Sequence, residues 1–501
     1  MAESIAIIGA GVAGLAAGCY AQMNGYRTKI FELHDLPGGL CTAWERENYI
    51  FDGCIHYLYG SGPGQPFHRM WEELGAVQDK RMIHQEEFMR ILGEDGRTFI
   101  VYSDPDRLEA NLKELSPADA RLAEALAQGV RQFERFDMSL LREQPQALMG
   151  PLNWMKLGKQ MLPFLPPLLQ WWRYSAEDFG ERFKDPFLRR AIPGMFVWKS
   201  IPMMAGLMQL ASMHTGNAGF PEGGSLEFAL AIERRYLQLG GEIHYKSQVE
   251  KILVEGGQAA GVRLYDDSVH RADSVISAAD GRATIYDLLG GNYTNNRIKR
   301  TYDGHLPIHS QIQVSLGVNR DLSAQPHWIT YLLDEPVSIA GEARGEIGVK
   351  HYCYDPCLAP PGKSVLEVML ESNYGYWQHI YGRRLYDTEQ IQVQNIVIDL
   401  LEKWYPGIRE QIEVVDVATP LSYERYTGNW MGSTCGWLLT RQTMAMNITG
   451  MRTTLPGLKN FYMIGQWVEP GGTLSLAASS GRNIVKTICH ADRRRFVSNT
   501  P

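Results

Sequence analysis

A strand that runs directly into a glycine turn constrains the start of this chain more than any other feature. Residues Ser4 to Ile8 form a short, apolar, β-branched run, as expected of a parallel strand buried on both faces. Glycines at 9, 11 and 14 follow, and then small residues suited to a closely packed helix. A second candidate strand ends on Glu32, eighteen residues after Gly14. This order predicts one βαβ unit of a Rossmann-like α/β fold.

The spacing of this turn matches the chemistry of dinucleotide binding. The first glycine permits a tight turn, the second lets backbone approach a pyrophosphate, and the third allows close helix–strand packing. The helix N-terminus offers unpaired N–H groups to phosphates, and Glu32 can accept hydrogen bonds from ribose hydroxyls. The alternative is a glycine-rich βα turn with an unrelated surface glutamate. The predicted cofactor contacts here are Gly9, Gly11, Val12, Ala13, Gly14 and Glu32.

Two further stretches have the same strand, turn and helix pattern, so the nucleotide-binding domain is predicted to be discontinuous. The segments between them have a different pattern, with a hairpin around Asp95 and Gly96, several candidate strands and an amphipathic helix. We predict one domain from residues 1–78, 218–300 and 450–490, and a second, substrate-binding domain from 79–217 and 301–449.

Charge and cysteine content exclude several classes of partner. The formal net charge is −7 and the pI is near 6.0, so nucleic acid is not an expected partner. The seven cysteines lack the paired spacing of a zinc site, and no metal is expected. No window reaches the roughly 18 uninterrupted apolar residues of a membrane span. The expected location is cytoplasmic, at most peripheral to the inner face of a membrane, and the sequence leaves the oligomeric state open.

Residues 144–215 have an unusual composition that allows two interpretations. No Asp or Glu occurs from Gln144 to Ala176, and nine of the twenty methionines fall between Met138 and Met213. The first interpretation is a helical core with proline-broken loops. The second is a membrane-contacting or tunnel-lining region, with residues 151–173 on the lipid surface and Trp171 and Trp172 at the level of the headgroups.

Several further motifs stand in order along nearly the whole chain. They are Gly38-Gly39-Leu40-Cys41-Thr42, Phe51-Asp52-Gly53-Cys54-Ile55-His56-Tyr57, Phe220-Pro221-Glu222-Gly223-Gly224-Ser225, Asp355-Pro356-Cys357-Leu358-Ala359-Pro360-Pro361-Gly362-Lys363, Glu424-Arg425-Tyr426-Thr427-Gly428-Asn429-Trp430 and the turn from Gly465 to Leu474. Together they resemble the flavin amine oxidase superfamily and, within it, most closely the phytoene desaturases, carotenoid isomerases and retinol saturases. The resemblance implies FAD and an α/β fold: a Rossmann-like FAD-binding domain with a parallel sheet, interleaved with a substrate domain made of a mixed sheet plus helices.

The same resemblance implies roles for individual residues. The 9–14 turn and Glu32 would hold the ADP half of FAD, and Val249 would meet the adenine through its backbone. The glycine pair would run along the pyrophosphate and ribityl chain, and the C-terminal turn would approach the flavin ring. One departure is Leu40, where many members carry arginine. The additional residues assigned in this way are Gly38, Gly39, Leu40, Val249, Gly465, Gly472, Thr473 and Leu474.

On the substrate side, no specific acid–base constellation is evident. His56, which the resemblance places near the flavin, is a candidate for proton handling, with a structural histidine as the alternative. Tyr57 and Trp467 are predicted pocket walls. Glu469 is interpreted as a turn residue rather than a base.

The leading hypothesis is an FAD-dependent oxidoreductase that desaturates, saturates or isomerises a long apolar isoprenoid such as a carotenoid or retinoid. Such chemistry needs little from the protein beyond a dry slot and correct placement, because the cofactor carries the redox step. Two alternatives remain: a flavin amine oxidase, and a non-catalytic prenyl or lipid carrier of the same fold. The apolar, methionine-rich segment disfavours the first, and the intact Glu32 disfavours the second.

Overall fold

The computed structural model describes residues 3–501, apart from the side chains of 447–449. Its first strand, Ser4–Ile8, is the centre of a five-stranded parallel sheet. The side chains of Ile5, Ile7 and Ile8 are at most 5% exposed, because layers cover both faces of the strand. In spatial order the strands of the parallel sheet are Glu242–His244, Arg27–Phe31, Ser4–Ile8, Ser274–Ser277 and Phe461–Met463.

Helices cover one face of the parallel sheet and an antiparallel meander covers the other. Helix Val12–Met23 packs against Leu474–Ala491 and Gly224–Gln238. The contact with Leu474–Ala491 is very close, because a Cβ atom at Gly481 would lie 2.5 Å from the carbonyl oxygen of Ala13. On the opposite face lie Val249–Glu255, Gln258–Leu264, Val269–Arg271, a π-helical turn at Ala283–Leu288 and helix Asn296–Thr301.

A second, seven-stranded sheet is mixed. Its pairs are antiparallel except for Trp328–Ile339 with Glu87–Leu92. One face packs apolar side chains against helices Tyr374–Gly382 and Tyr386–Trp404. In spatial order the strands are Ile412–Ala418, Gln311–Val318, Ser364–Glu371, Glu342–His351, Trp328–Ile339, Glu87–Leu92 and Thr98–Tyr102.

Most of the remaining chain forms a helical region beside the second sheet. Its helices are Pro105–Leu115, Ala120–Phe133, Pro151–Met161, Leu165–Trp171, Ala176–Gly180, Pro186–Gly194 and Met203–His214. Smaller elements are helices Pro66–Glu73, Pro420–Thr427 and Met444–Thr449, the pair Ala43–Arg46 and Tyr49–Asp52, and the short strands Leu58–Tyr59, Met82–Ile83 and Ala218–Pro221. Among the described residues, no helix is long and apolar enough to cross a membrane.

The predicted fold class is confirmed, including the βαβ unit, the mixed sheet and the hairpin around Asp95 and Gly96. Sequence patterns missed the strand Trp328–Ile339, which contains Asp334, Glu335 and Pro336. The structure accommodates these residues in a register shift between Leu332 and Val337, because a bulge tolerates a proline that a regular ladder excludes. The predicted domain boundaries stay a prediction.

Candidate cofactor and active site

The first glycine turn has the geometry that its spacing predicts. Gly9 has φ +96°, and a Cβ atom at Gly14 would lie 2.0 Å from the carbonyl oxygen of Gly9. Gly11 precedes the helix without a side-chain cap, so the N–H groups of Val12 and Ala13 have no partner within the helix. The turn therefore presents open N–H donors at the positive end of the helix dipole.

The other two glycine turns lie against the first. The Gly38 N–H donates to the Ala10 carbonyl over 2.9 Å, and a Cβ atom at Gly39 would lie 3.4 Å from the Cα of Gly11. A Cβ atom at Gly465 would lie 3.4 Å from the Cβ of Ala13. Three stretches that are distant in sequence thus meet at the carboxyl edge of the parallel sheet, which is where ligands bind in open α/β sheets.

Glu32 lies at the end of the neighbouring strand with its carboxylate held by backbone. One oxygen accepts from the Ala10 N–H over 2.6 Å and the other from the His34 N–H over 2.9 Å. Burial raises the pKa of Glu32, and these backbone donors oppose that shift. Each oxygen keeps a further lone pair, so each can still accept a hydrogen bond from a ribose hydroxyl.

Val249 heads its strand close to Glu32. The N–H of Ser247, two residues earlier, donates to the Glu32 carbonyl over 2.8 Å, and Val249 is 7% exposed. This position agrees with the predicted backbone contact at the adenine end, although the contact itself stays a prediction.

The C-terminal turn ends at the start of a long helix. Thr473 is the residue before helix Leu474–Ala491 and makes no side-chain cap. Gly472 has φ +66°, and a Cβ atom there would lie 2.5 Å from that of Cys435.

Leu40, beside the second glycine turn, is half-buried. The glycine cradle, the uncapped N–H groups and Glu32 together fit a dinucleotide, and Leu40 offers no charged group where many relatives would place an arginine near a phosphate.

His56 is connected to a lysine that the sequence analysis missed. The Nζ of Lys350 lies 3.0 Å from the Nδ1 of His56 and 2.7 Å from the Oη of Tyr352. An ammonium can only donate, so Nδ1 accepts and the neutral ring carries its proton on Nε2. Burial and the Lys350 charge hold the pKa of His56 well below its usual range. His56 therefore accepts a hydrogen bond from a buried lysine.

Lys350 is part of a fully buried pair. Glu367 is its opposite residue on the neighbouring antiparallel strand, and the two are 1% and 0% exposed. Burial lowers the pKa of Lys350 to about 8 and raises the pKa of Glu367 to about 8, while their mutual attraction opposes both shifts. Neither carboxyl oxygen of Glu367 has a hydrogen-bond partner among the described residues. The Tyr352 hydroxyl and the Asp52 backbone also oppose the rise in the pKa of Glu367, but they lie beyond hydrogen-bond distance of its oxygens, so burial favours the neutral, protonated form.

Asp52, at the end of strand Tyr49–Asp52, also faces this pair. Its carboxylate accepts from the N–H and Oγ of Ser225 over 2.6 and 2.7 Å, and from the Cys54 N–H over 3.1 Å. Burial raises the pKa of Asp52, whereas Lys350 and Ser225 act against that rise. The cluster thus joins the second sheet to the segment that carries His56.

Tyr57 and Trp467 lie in different places. The Oη of Tyr57 donates to Oε1 of Gln209 over 3.0 Å, beside the aromatic rings of Tyr59 and Phe88. Trp467 is 2% exposed and lines a separate cavity of about 260 Å³, on the meander side of the parallel sheet. The structure therefore does not bring these two predicted wall residues together.

Glu469, which the sequence analysis interprets as a turn residue, also forms an ion pair. Arg142 donates from Nε to Oε2 of Glu469 over 2.7 Å, and both side chains are largely buried. Burial raises the pKa of Glu469, and the guanidinium opposes this. The ion pair connects the helical region to the C-terminal glycine turn. Neither Arg142 nor Lys350 stood in a motif, and strand Glu342–His351 also carries Glu342, Arg344 and Glu346, so nothing local distinguished Lys350.

The helical region has a concentrated apolar surface. Of the seventeen exposed large hydrophobic side chains in the part of the chain that the structure describes, six lie in residues 152–169, and helix Pro151–Met161 has no buried residue. The placement of Trp171 at the headgroup level was wrong: it is 1% exposed and packs in the core beneath. Trp172 is partly buried against that core. The exposed members are Leu152, Trp154, Met155, Leu162, Leu165 and Leu169.

The buried carboxyl gives stability a predictable pH dependence. Glu367 has a pKa of about 8 against an ordinary 4.5, so the folded chain holds a proton that the unfolded chain loses between these values. This contribution to stability falls as pH rises through that window. We expect Glu367→Gln to become more stable relative to wild type by at least about 1 kcal/mol between about pH 5 and pH 8 in urea unfolding.

The matched control is Glu371→Gln, at an exposed position on the same strand. Its stability relative to wild type should not change with pH. A flat difference for Glu367→Gln across the same range would contradict the buried neutral carboxyl.

Comparisons with known proteins agree with the observed architecture. Residues 7–74 match a family model described as an NAD(P)-binding Rossmann-like domain. The chain is 24% identical to a chloroplastic prolycopene isomerase of Daucus carota, over 95% of this chain and 78% of that one. It is also 24% identical to a lycopene-forming phytoene desaturase of Pseudescherichia vulneris, over 95% and 97%.

A solved structure of a putrescine oxidase mutant superposes with a TM-score of 0.61 at 14% identity, over 98% of this chain and 99% of that one. At this identity the likeness shows the fold alone. The predicted resemblance to the phytoene desaturase and carotenoid isomerase group is confirmed, and so is the prediction of an enzyme. The matches imply a dinucleotide or flavin cofactor.

Proposed function

We propose that this chain is an FAD-dependent oxidoreductase that acts on a long apolar isoprenoid of the carotenoid or retinoid type, by desaturation, saturation or flavin-assisted isomerisation. The observation that carries the proposal is the convergence of three glycine turns at one sheet edge. The similar desaturases and isomerases, which match almost the full length of the chain, support the substrate class.

FAD is the cofactor that best fits the donors and acceptors of the site. The 9–14 turn offers N–H groups for the pyrophosphate, and Glu32 offers oxygens for a ribose. The second and third turns extend the cradle beyond what a mononucleotide needs. When bound, FAD would supply the hydride transfer, and the protein would supply placement and exclusion of water.

The protein's own contribution to the reaction is positional and protic. Ser475 donates from Oγ to the Tyr59 carbonyl over 2.8 Å, so the segment after His56 is fixed to the helix that follows the flavin turn. We infer that His56, supported by Lys350, faces the reacting end of the substrate. Its neutral ring presents the Nε2–H there as a hydrogen-bond donor, and Tyr57 supplies an aromatic wall.

Anaerobic spectroscopy with a polyene panel tests the function. Desaturation predicts that the flavin absorbance bleaches when a polyene is added, and saturation predicts that a polyene restores it after chemical reduction. Isomerisation predicts a changed isomer ratio with no net bleaching. Hydrogen peroxide release from an amine panel, with no response to polyenes, would favour an amine oxidase. A colourless protein that takes up no flavin would favour the carrier.

Cofactor binding has a test that leaves the fold intact. Gly11 has an ordinary extended backbone, and its Cβ would meet only the Gly38 carbonyl oxygen, at 3.8 Å. A valine there should fold but fill the space that the pyrophosphate needs. We expect Gly11→Val to lower flavin per chain by about tenfold or more, measured by absorbance of the purified protein. Gly345→Val, at an open strand position, should keep wild-type flavin.

We further propose that the exposed surface of residues 152–169 dips into a membrane from which an apolar substrate enters. Lys156 and Lys159 carry the charges of this segment and Arg173 follows it, which suits an anionic headgroup layer. Trp154, 52% exposed, takes the interfacial role first expected of Trp171.

Vesicle co-sedimentation tests the membrane surface. Replacing Leu152, Trp154, Leu162 and Leu169 by serine should lower binding to vesicles with anionic lipid by about tenfold or more, because apolar burial supplies most of the affinity. The matched control replaces Tyr265, Tyr381 and Ile391, which are exposed elsewhere, and should bind like wild type. Equal binding of both variants would refute this surface.

A further inference from the structure

Two cysteines face each other at the open end of the antiparallel hairpin of residues 43–52. Beyond the paired strands, the Gly53 N–H donates to the Thr42 carbonyl over 2.9 Å, so the register of the ladder continues. The next two opposite residues in this register are Cys41 and Cys54. Both are free thiols in this structure.

Cys41 and Cys54 occupy the closer of the two kinds of opposite position in an antiparallel ladder. Hydrogen-bonded and non-hydrogen-bonded pairs of residues alternate along such a ladder. Because Gly53 and Thr42 are hydrogen-bonded to each other, the next pair is of the non-hydrogen-bonded kind, whose Cα atoms are typically about 4.5 Å apart. Disulfides join cysteines whose Cα atoms are about 4.4–6.8 Å apart, so a bond can close here with little movement of the backbone.

The two thiols interact with each other and differ in their access to solvent. The facing Cys54 thiol and burial together raise the pKa of Cys41. Cys41 is 1% exposed and donates from Sγ to the Ser225 carbonyl over 3.3 Å, whereas Cys54 is half-buried. A small disulfide in solution therefore reaches Cys54 first, and burial protects Cys41 from direct reaction.

The cysteine pair lies between two parts of the candidate site. Cys41 donates its N–H to the Gly38 carbonyl over 3.0 Å, beside the second glycine turn. Cys54 donates its N–H to the carboxylate of Asp52 over 3.1 Å and lies two residues before His56. A bond between the two sulfur atoms would therefore tie the second glycine turn to the segment that carries His56.

We propose that Cys41 and Cys54 are a reversible disulfide site that responds to the thiol–disulfide balance around the protein. The Cys54 thiolate first attacks a small disulfide, which forms a mixed disulfide and releases one small thiol. The Cys41 thiolate then attacks the sulfur of Cys54 and releases the second small thiol. The two cysteines thus give two protons and two electrons to the small disulfide, and a reducing dithiol reverses the reaction. This site needs neither the cofactor nor the polyene reaction.

Peptide mapping of the purified protein tests this site. The folded protein is incubated with oxidised glutathione, its remaining thiols are alkylated, and linked peptides are identified by mass spectrometry. We expect a link between Cys41 and Cys54 to form at least about tenfold faster than one between Cys353 and Cys357, and dithiothreitol should remove it. Cys353 and Cys357 are the matched control: they are closer in sequence and Cys357 is exposed, so chain proximity and access alone would favour them.

Two variants test the order of the steps. In Cys41→Ser, Cys54 should keep one bound glutathione, because the thiol that resolves the mixed disulfide is missing. In Cys54→Ser, Cys41 should take up glutathione at least about tenfold more slowly than Cys54 does in the first variant, because it is buried. A wild type that keeps glutathione on Cys54 without forming the link would overturn the proposal, as would one in which neither cysteine reacts while Cys357 does.

Discussion

The close approach of backbone to backbone at the edge of the parallel sheet is the constraint on which the rest of the structure depends. Gly9, Gly11 and Gly14 let the first turn close, and Gly38 and Gly465 let two distant segments reach it. A side chain would not fit at Gly14 or Gly38, where a Cβ atom would lie about 2 Å from a backbone carbonyl oxygen. The predicted dinucleotide site therefore depends on glycines, which carry no side chain, and its binding groups are mainly backbone N–H donors.

The cluster around Lys350 is built in the opposite way, from side chains that are costly to bury. Lys350 and Glu367 lie on the polar face of the second sheet, and Asp52 reaches them from the segment that leads to His56. A buried pair of this kind gives little net stability, since desolvation offsets its attraction.

Sequence reasoning recovered the parts of the fold that local patterns determine. The βαβ unit follows from Gly9 to Glu32, and the site edge follows from the family motifs. Lys350 was missed because its importance comes from pairing with Glu367 across strands, which no local pattern encodes. Trp171 was misplaced because composition identifies an apolar segment without showing which side chains turn inward; that depends on packing against the neighbouring helices.

The interleaving of the two sheets has a consequence for how the protein is made. The central strand Ser4–Ile8 pairs with Ser274–Ser277, and that strand in turn needs Phe461–Met463 at its other edge. During synthesis, the sheet around the first strand can be completed only after nearly the whole polypeptide has been made. Apolar strand edges stay uncovered in the nascent chain for that time, so folding in the cell should depend on chaperones that shield them.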